Sequence, residues 1–166
     1  MKFSIKLYCG NKEEICGIGL APCGAVEKVK GFNGGVISGA EYVDGVNFGV
    51  LVAATTRKVK GGNVCLVAAG ADDVEGFNAG GFAASATYVR GFNGGGIVGG
   101  ATHVNGVNFG GLASLVLEEL NGLEIGVITY ANDGNYLQLG LLNFRGTGPW
   151  YKRFSPLIGY HRKKSK

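Results

Sequence analysis

The sequence of 166 residues suits a single domain, and its hydrophobic content of 46% is ordinary for a chain with a packed core. Its 32 glycines against three prolines are unusual. These glycines follow no every-third-residue pattern, which excludes collagen, and the interleaved Val, Ile, Leu and Phe argue against a disordered low-complexity chain. The glycines are therefore predicted to form corners and close backbone approaches within an ordered β structure.

The net charge of +4 is concentrated near the C-terminus. Residues 150–166 contain six basic and no acidic residues, whereas the rest of the chain carries ten Lys or Arg against twelve Asp or Glu. A basic segment of this kind either keeps the chain soluble or contacts anionic lipid, nucleic acid or an acidic protein. Nucleic-acid binding is disfavoured because the body has no basic stripe. The candidate partner-binding residues of this tail are Lys152, Arg153, Arg162, Lys163 and Lys164.

Residues 1–28 are predicted to form an N-terminal capping strand and the first coils. Phe3, Ile5 and Leu7 alternate with polar residues, which is typical of a β-strand. This segment lacks the continuous apolar core of a signal peptide, and the chain has no apolar run long enough for a transmembrane helix.

A short phrase recurs between residues 29 and 143. It begins with an aliphatic residue, a polar residue and a glycine, as in Val89-Arg90-Gly91. The seven clear copies are spaced by 14, 16, 15, 15, 15 and 16 residues, and a less regular eighth copy begins at Gly134. Such a period indicates a repeat architecture. The predicted corner glycines are Gly31, Gly45, Gly61, Gly76, Gly91, Gly106 and Gly122.

The fifth position of the phrase is asparagine in six copies and then becomes Glu124 and Gln138. If each phrase is one coil of a β-solenoid, equivalent residues stack about 4.8 Å apart and their amides hydrogen-bond along the stack. The predicted ladder comprises Asn33, Asn47, Asn63, Asn78, Asn93 and Asn108. The second position varies among charged and polar residues, so it is expected to face water.

Two all-β folds fit this pattern. The preferred one is a β-solenoid of about eight coils of 14–16 residues with terminal caps, comprising the repeat at 29–143 and an aromatic, basic cap and tail at 144–166. The alternative is an up-and-down antiparallel β-barrel with a hairpin turn at each phrase, and such a barrel would associate with a membrane. The solenoid is preferred because successive barrel turns lie at opposite ends and should differ, whereas these copies repeat one corner.

The later copies, such as Leu120-Asn-Gly-Leu-Glu-Ile-Gly-Val-Ile and Leu137-Gln-Leu-Gly-Leu-Leu-Asn143, carry a resemblance. They resemble the short Gly-rich surface-exposed repeat of bacterial surface proteins and lipoproteins. The resemblance implies a repetitive β protein at a bacterial surface or envelope, and it offers no catalytic residues to transfer.

Three cysteines, Cys9, Cys16 and Cys23, are spaced by seven residues. Small buried core residues are the preferred interpretation, with a disulfide or a metal site as alternatives. Cys65 falls in a glycine column and is also predicted to be packed. The two histidines lack a nucleophile or carboxylate at motif spacing, so no catalytic, cofactor or metal residue is predicted.

The sequence therefore predicts a non-enzymatic structural or interaction module. Its partner is an unspecified protein, glycan or membrane surface, and the open ends of a solenoid also allow self-association. Location at a cell surface or envelope is an expectation from the resemblance alone.

Overall fold

The computed structural model describes residues 4–7, 10–149 and 153–163. This part of the chain is strand throughout apart from short turns, and it contains no helix that could cross a membrane. The strands are β1 (Ser4–Leu7), β2 (Gly10–Cys65), β3 (Ala68–Gly80), β4 (Ala83–Gly95), β5 (Val98–Gly110), β6 (Ala113–Ile125), β7 (Ile128–Arg145) and β8 (Phe154–His161).

Strands β1 to β6 each pair in parallel with the next strand. The register advances by one repeat, so that Asn78 lies beside Asn93 and Asn93 lies beside Asn108. Parallel, in-register stacking of successive repeats is the geometry of a β-solenoid. The solenoid prediction is confirmed, and the antiparallel alternative is wrong for these strands.

The coils turn at stacked glycines. Gly91 has φ +134°, and a Cβ atom at this position would overlap the carbonyl oxygen of Gly76 in the coil below. Only glycine combines that backbone conformation with so close an approach. The same positive φ recurs at Gly17, Gly31, Gly45, Gly61, Gly76, Gly106 and Gly122. Strand β2 therefore passes through several corners, although its hydrogen bonding makes it one strand of 56 residues.

Coils of 16 residues fit into the stack because their extra residue is accommodated at one place. The register of β2 against β3 shifts between Thr55 and Lys58, and that of β6 against β7 shifts between Val116 and Glu119. Such bulges absorb an insertion locally. The corner glycines and the asparagine column consequently keep their alignment.

The interior of the solenoid is narrow and is filled by columns of small and aliphatic side chains. One column consists of the residue two positions before each corner glycine, and a second consists mainly of alanine about three positions earlier in the chain, as at Ala71, Ala86 and Ala101. The first column comprises Ile15, Val29, Val43, Val59, Val74, Val89, Val104 and Leu120, all of them buried. Identical branched side chains stacked in parallel pack closely and exclude water.

Strand β8 departs from the solenoid pattern. It runs antiparallel to β7, with Leu137 opposite Tyr160 and Phe144 opposite Phe154. The edge of β7 that faces away from β6 is thereby hydrogen-bonded over Tyr136–Phe144. An edge covered in this way offers no unpaired backbone groups for addition of another strand.

Candidate interaction surface

The asparagine column is a continuous buried ladder. The side-chain Nδ2 of Asn33 donates to Oδ1 of Asn47 at 2.9 Å, and that of Asn93 donates to Oδ1 of Asn108 at 2.8 Å. The intervening steps, from Asn47 to Asn63, from Asn63 to Asn78 and from Asn78 to Asn93, measure 3.0, 2.9 and 2.9 Å. These six amides are fully buried. The ladder satisfies polar groups inside the coil and is therefore not available to a partner.

Glu124 and Gln138 continue this column with different chemistry. Gln138 donates from Nε2 to Oε2 of Glu124 at 2.9 Å, and Glu124 is fully buried. Burial raises the pKa of the Glu124 carboxyl to about 8, against the opposing effect of the hydrogen bond from Gln138. Oε1 of Glu124 has no hydrogen-bond partner among the described residues.

An apolar outer surface follows from the inward orientation of the ladder. Side chains alternate across a β-strand, so the residues on either side of each inward asparagine point outward. In the coil of Asn108 these neighbours are Val107 and Phe109, and in the coil of Glu124 they are Leu123 and Ile125. We call the surface formed by residues 32–37, 46–52, 62–67, 77–82, 92–98, 107–112, 123–128 and 137–142 the apolar face.

The apolar face is uncharged. Its eight segments contain no Lys, Arg or Asp, and their one carboxyl belongs to the buried Glu124. The large side chains at the turn end of the face are strongly exposed, with Leu66 at 60% and Phe82 at 57%. A continuous patch of this kind on every coil exceeds the scattered apolar exposure of ordinary monomers.

Aromatic rings fill the glycine positions of the apolar face. The ring of Phe92 covers Gly94, and a Cβ atom on Gly62 would meet the ring of Phe77 at 2.6 Å. Glycine at these positions therefore lets a neighbouring ring lie along the surface. Phe48 and Phe109 stand at positions equivalent to Gly94, so the size of the side chain varies along this column.

The other outer surfaces are polar. The rings of Tyr88 and His103 stack at 4.7 Å with an interplanar angle of 5°, and Nε2 of His103 lies 3.0 Å from Oε2 of Glu118. Lys58 contacts Glu75 at 2.8 Å, and the hydrogen bond from Lys58 holds the pKa of the Glu75 carboxyl below its usual value. The solenoid is thus amphipathic, with charge kept away from the apolar face.

We call a row of eight residues at the corners of the coils the charged rim. Seven of them stand directly before a corner glycine, and the eighth is the residue of β7 that lies beside Asn121. These residues are Lys30, Asp44, Lys60, Glu75, Arg90, Asn105, Asn121 and Asn135. The rim lies at the corner between the polar surfaces and the apolar face. Within it, Glu75 contacts Arg90 at 3.3 Å and Lys60 at 4.0 Å.

The basic tail lies against the solenoid where the structure describes it. Lys163 contacts Asp133 at 3.1 Å and Glu119 at 3.5 Å, and these carboxylates raise the pKa of its amine. Arg153 donates from Nε to the carbonyl of Gly148, and Arg162 is exposed. Lys152 and Lys164 lie outside the described residues. Lys163 is therefore engaged within the chain, which weakens the tail as a partner-binding element.

The cysteine prediction is wrong for two of its three members. Cys23 is exposed and Cys16 is only partly buried, because the first coils place both away from the core. Cys9 lies outside the described residues. Cys65 is buried beside Gly80, as its glycine column predicts. Within the described residues, no three His, Cys, Asp or Glu side chains are grouped as metal ligands.

Comparisons with family models, with curated proteins and with solved structures find no match for this chain. The candidate site therefore rests on the molecule's own geometry. Sequence reasoning identified the ladder positions but missed the apolar face as a surface. The signal was present, because the segments around each ladder residue lack exposed charge and the ladder residue fixes which neighbours point outward.

Proposed function

We propose that this chain is a non-enzymatic structural module that assembles by packing its apolar face against the same face of a second copy. The observation that supports this most directly is the uncharged, apolar outer surface carried by eight successive coils. Two such surfaces packed together would remove apolar area from water, which is the main favourable term in protein association.

The size of the apolar face suits a stable dimer. Eight coils at about 4.8 Å and segments of about six residues at about 3.3 Å give a flat area of roughly 760 Å². The relief of the exposed side chains increases this area. A standard interface buries about 800 Å² on each partner, so the face is of the required order.

A second sheet is a better occupant than a lipid surface. Membrane-facing surfaces typically carry Trp and Tyr at the interface and Lys or Arg on the polar side of that boundary. The apolar face contains no Trp, Tyr, Lys or Arg, and glycine positions keep it flat near Phe77 and Phe92. Flat faces of branched and aromatic side chains are typical of sheets that pack on one another.

Two matched substitutions of leucine by glutamate test this function. Leu112 lies on the apolar face and Leu117 on a polar surface of the next coil, and both are 58% exposed. Leu112→Glu should weaken dimerisation by at least about 100-fold, because a carboxylate would be buried without a partner. Leu117→Glu should leave dimerisation unchanged. Size-exclusion chromatography with light scattering over a concentration series measures both variants.

Three results would overturn the proposal. The first is a monomer at all concentrations for the unmodified chain, and the second is equal dimerisation of the two leucine variants. Solubility that depends on detergent or lipid vesicles would instead assign the face to a membrane. Association with a bacterial surface stays a prediction from the sequence resemblance, and fractionation of producing cells tests it.

A further inference from the structure

We propose that the two copies pack antiparallel, about a two-fold axis that passes between the coil of Lys60 and the coil of Glu75, perpendicular to the direction of stacking. This arrangement rests on the proposed dimer and specifies its geometry. A closed two-fold contact makes one surface self-complementary. A two-fold contact therefore requires charges that are complementary about one point along the stack of coils.

An axis in this position reverses the order of coils but keeps each column opposite the same column of the second copy. On the charged rim, Lys60 then faces Glu75 of the second copy, and Asp44 faces Arg90 of the second copy. By symmetry each pairing occurs twice. Lys30 faces the neutral Asn105, so no like charges meet along the rim.

The rim residues are able to reach across the interface. The side chains of Lys60 and Arg90 are 61% and 68% exposed, and Asp44 is exposed. Among the ion pairs of the described residues, none involves Asp44. A second copy would supply Asp44 with a cation and extend the Lys60–Glu75–Arg90 network across the dimer. Rim charges of this kind select orientation.

The same axis matches large side chains with small ones on the apolar face. In the column after the ladder asparagine, Phe48 faces Gly94 of the second copy, Phe109 faces Gly34, and Val64 faces Ala79. In the column before the ladder, Phe77 faces Gly62. The rings of Phe92, Phe32 and Phe77 of the same copy already cover Gly94, Gly34 and Gly62. The charges on the rim, and not the fit of these columns, therefore decide the position of the axis.

Neighbouring positions of the axis fit less well. An axis through the coil of Glu75 places two Glu75 carboxylates opposite each other. An axis between the coils of Glu75 and Arg90 keeps only the Glu75–Arg90 pairing. It sets Lys60 opposite Asn105 and Asp44 opposite Asn121, so neither of these charges meets an opposite charge. A parallel pair of copies would set the charged rim opposite the apolar turns, where the charges would lack partners.

Thiol crosslinking locates the axis. Lys30→Cys and Asn105→Cys are introduced into separate 166-residue chains in which Cys9, Cys16 and Cys23 are serine, and the two chains are mixed with a short bismaleimide. The proposed axis brings positions 30 and 105 of different copies together, so the mixture should form covalent dimers. Within one copy these positions are five coils apart, which is roughly 24 Å. Each chain alone should not crosslink.

The control mixture contains Lys30→Cys and Asn135→Cys, which meet only if the axis passes between the coil of Glu75 and the coil of Arg90. Light scattering of the unlinked chains keeps the two proposals separate. A monomer would overturn the proposed function together with this arrangement. A dimer without 30–105 crosslinks, or with 30–135 crosslinks, would overturn the antiparallel arrangement alone.

A charge swap gives an independent readout. Asp44→Arg and Arg90→Asp should each weaken dimerisation by about tenfold, since each places like charges opposite one another. The double variant restores opposite charges at both symmetric contacts and should recover most of the affinity. Additive weakening in the double variant would overturn the proposed pairing.

Discussion

Gln138 donates its side-chain amide to Glu124 at 2.9 Å, in the direction opposite to that of the asparagine bonds between Asn33 and Asn108. The asparagine run ends at Asn108, which donates to Oγ of Ser114 at 2.9 Å, so Glu124 accepts only from the side of Gln138. Oε1 of Glu124 is left without a partner among the described residues, and the carboxyl is unfavourable to bury in its charged form.

The first prediction concerns the pH dependence that Glu124 introduces. Burial raises its pKa from 4.5 to about 8, so the folded state holds a proton that the unfolded state releases. The contribution to stability is therefore lost as pH rises from about 4.5 to about 8. Glu124→Gln should remove this loss. The difference in free energy of unfolding between this variant and the unmodified chain should therefore be roughly 2–4 kcal/mol more in favour of the variant at alkaline pH than at acidic pH.

Urea unfolding between pH 5 and pH 9 measures this difference. Glu27→Gln is the control, since Glu27 is exposed and takes part in none of the ion pairs of the described residues, so the pH profile should stay unchanged. Parallel pH profiles for the unmodified chain and Glu124→Gln would contradict the prediction.

The second prediction concerns the ladder. Asn93 accepts from Asn78 and donates to Asn108 and to the carbonyl of Gly100. Asn93→Ala leaves buried groups without partners on both sides and should lower the free energy of unfolding by roughly 2–4 kcal/mol. Asn105→Ala, at an exposed position on the charged rim, should change it by less than about 0.5 kcal/mol. Equal effects in urea titrations would show that the ladder contributes nothing specific.

The third prediction concerns the corner glycines. Gly91→Ala introduces a Cβ atom against the carbonyl of Gly76 at φ +134°, and it should cost about 3 kcal/mol or more. Gly100→Ala is the matched control in the next coil, because no heavy atom lies within 4 Å of the added Cβ. Thermal denaturation followed by circular dichroism compares the two, and tolerance of alanine at position 91 would refute the strained corner.

The fourth prediction concerns β8. A chain that stops before Phe154 leaves the outer edge of β7 unpaired over Tyr136–Phe144. Exposed parallel edges recruit further strands, so this truncated chain should form assemblies larger than a dimer that grow with concentration. A chain that stops after Lys163 keeps β8 and serves as the control. Identical light-scattering profiles for the two would show that β8 does not protect the edge.

Much of the fold could be predicted because the repeat carries the information locally. The spacing of glycines such as Gly76 and Gly91 predicts where each coil turns, and the asparagine column predicts parallel stacking, since only in-register copies let identical amides bond to one another. The pairing of β8 could not be predicted in the same way. It depends on contact with β7 about 20 residues earlier, and no repeated pattern marks that contact.

The sequence by itself determined the period, the positions of the corners and the residues that stack in each column. Only the tertiary structure decided which side of the coil each column faces. The buried ladder residues, such as Asn93 and Glu124, place neighbours such as Phe92 and Leu123 on the outside, so polar groups lie beneath the apolar face and apolar groups form its surface. The physical reason is that a ladder satisfies every buried amide, which removes the usual cost of polar burial and leaves the alternation of the strand to set the outer surface.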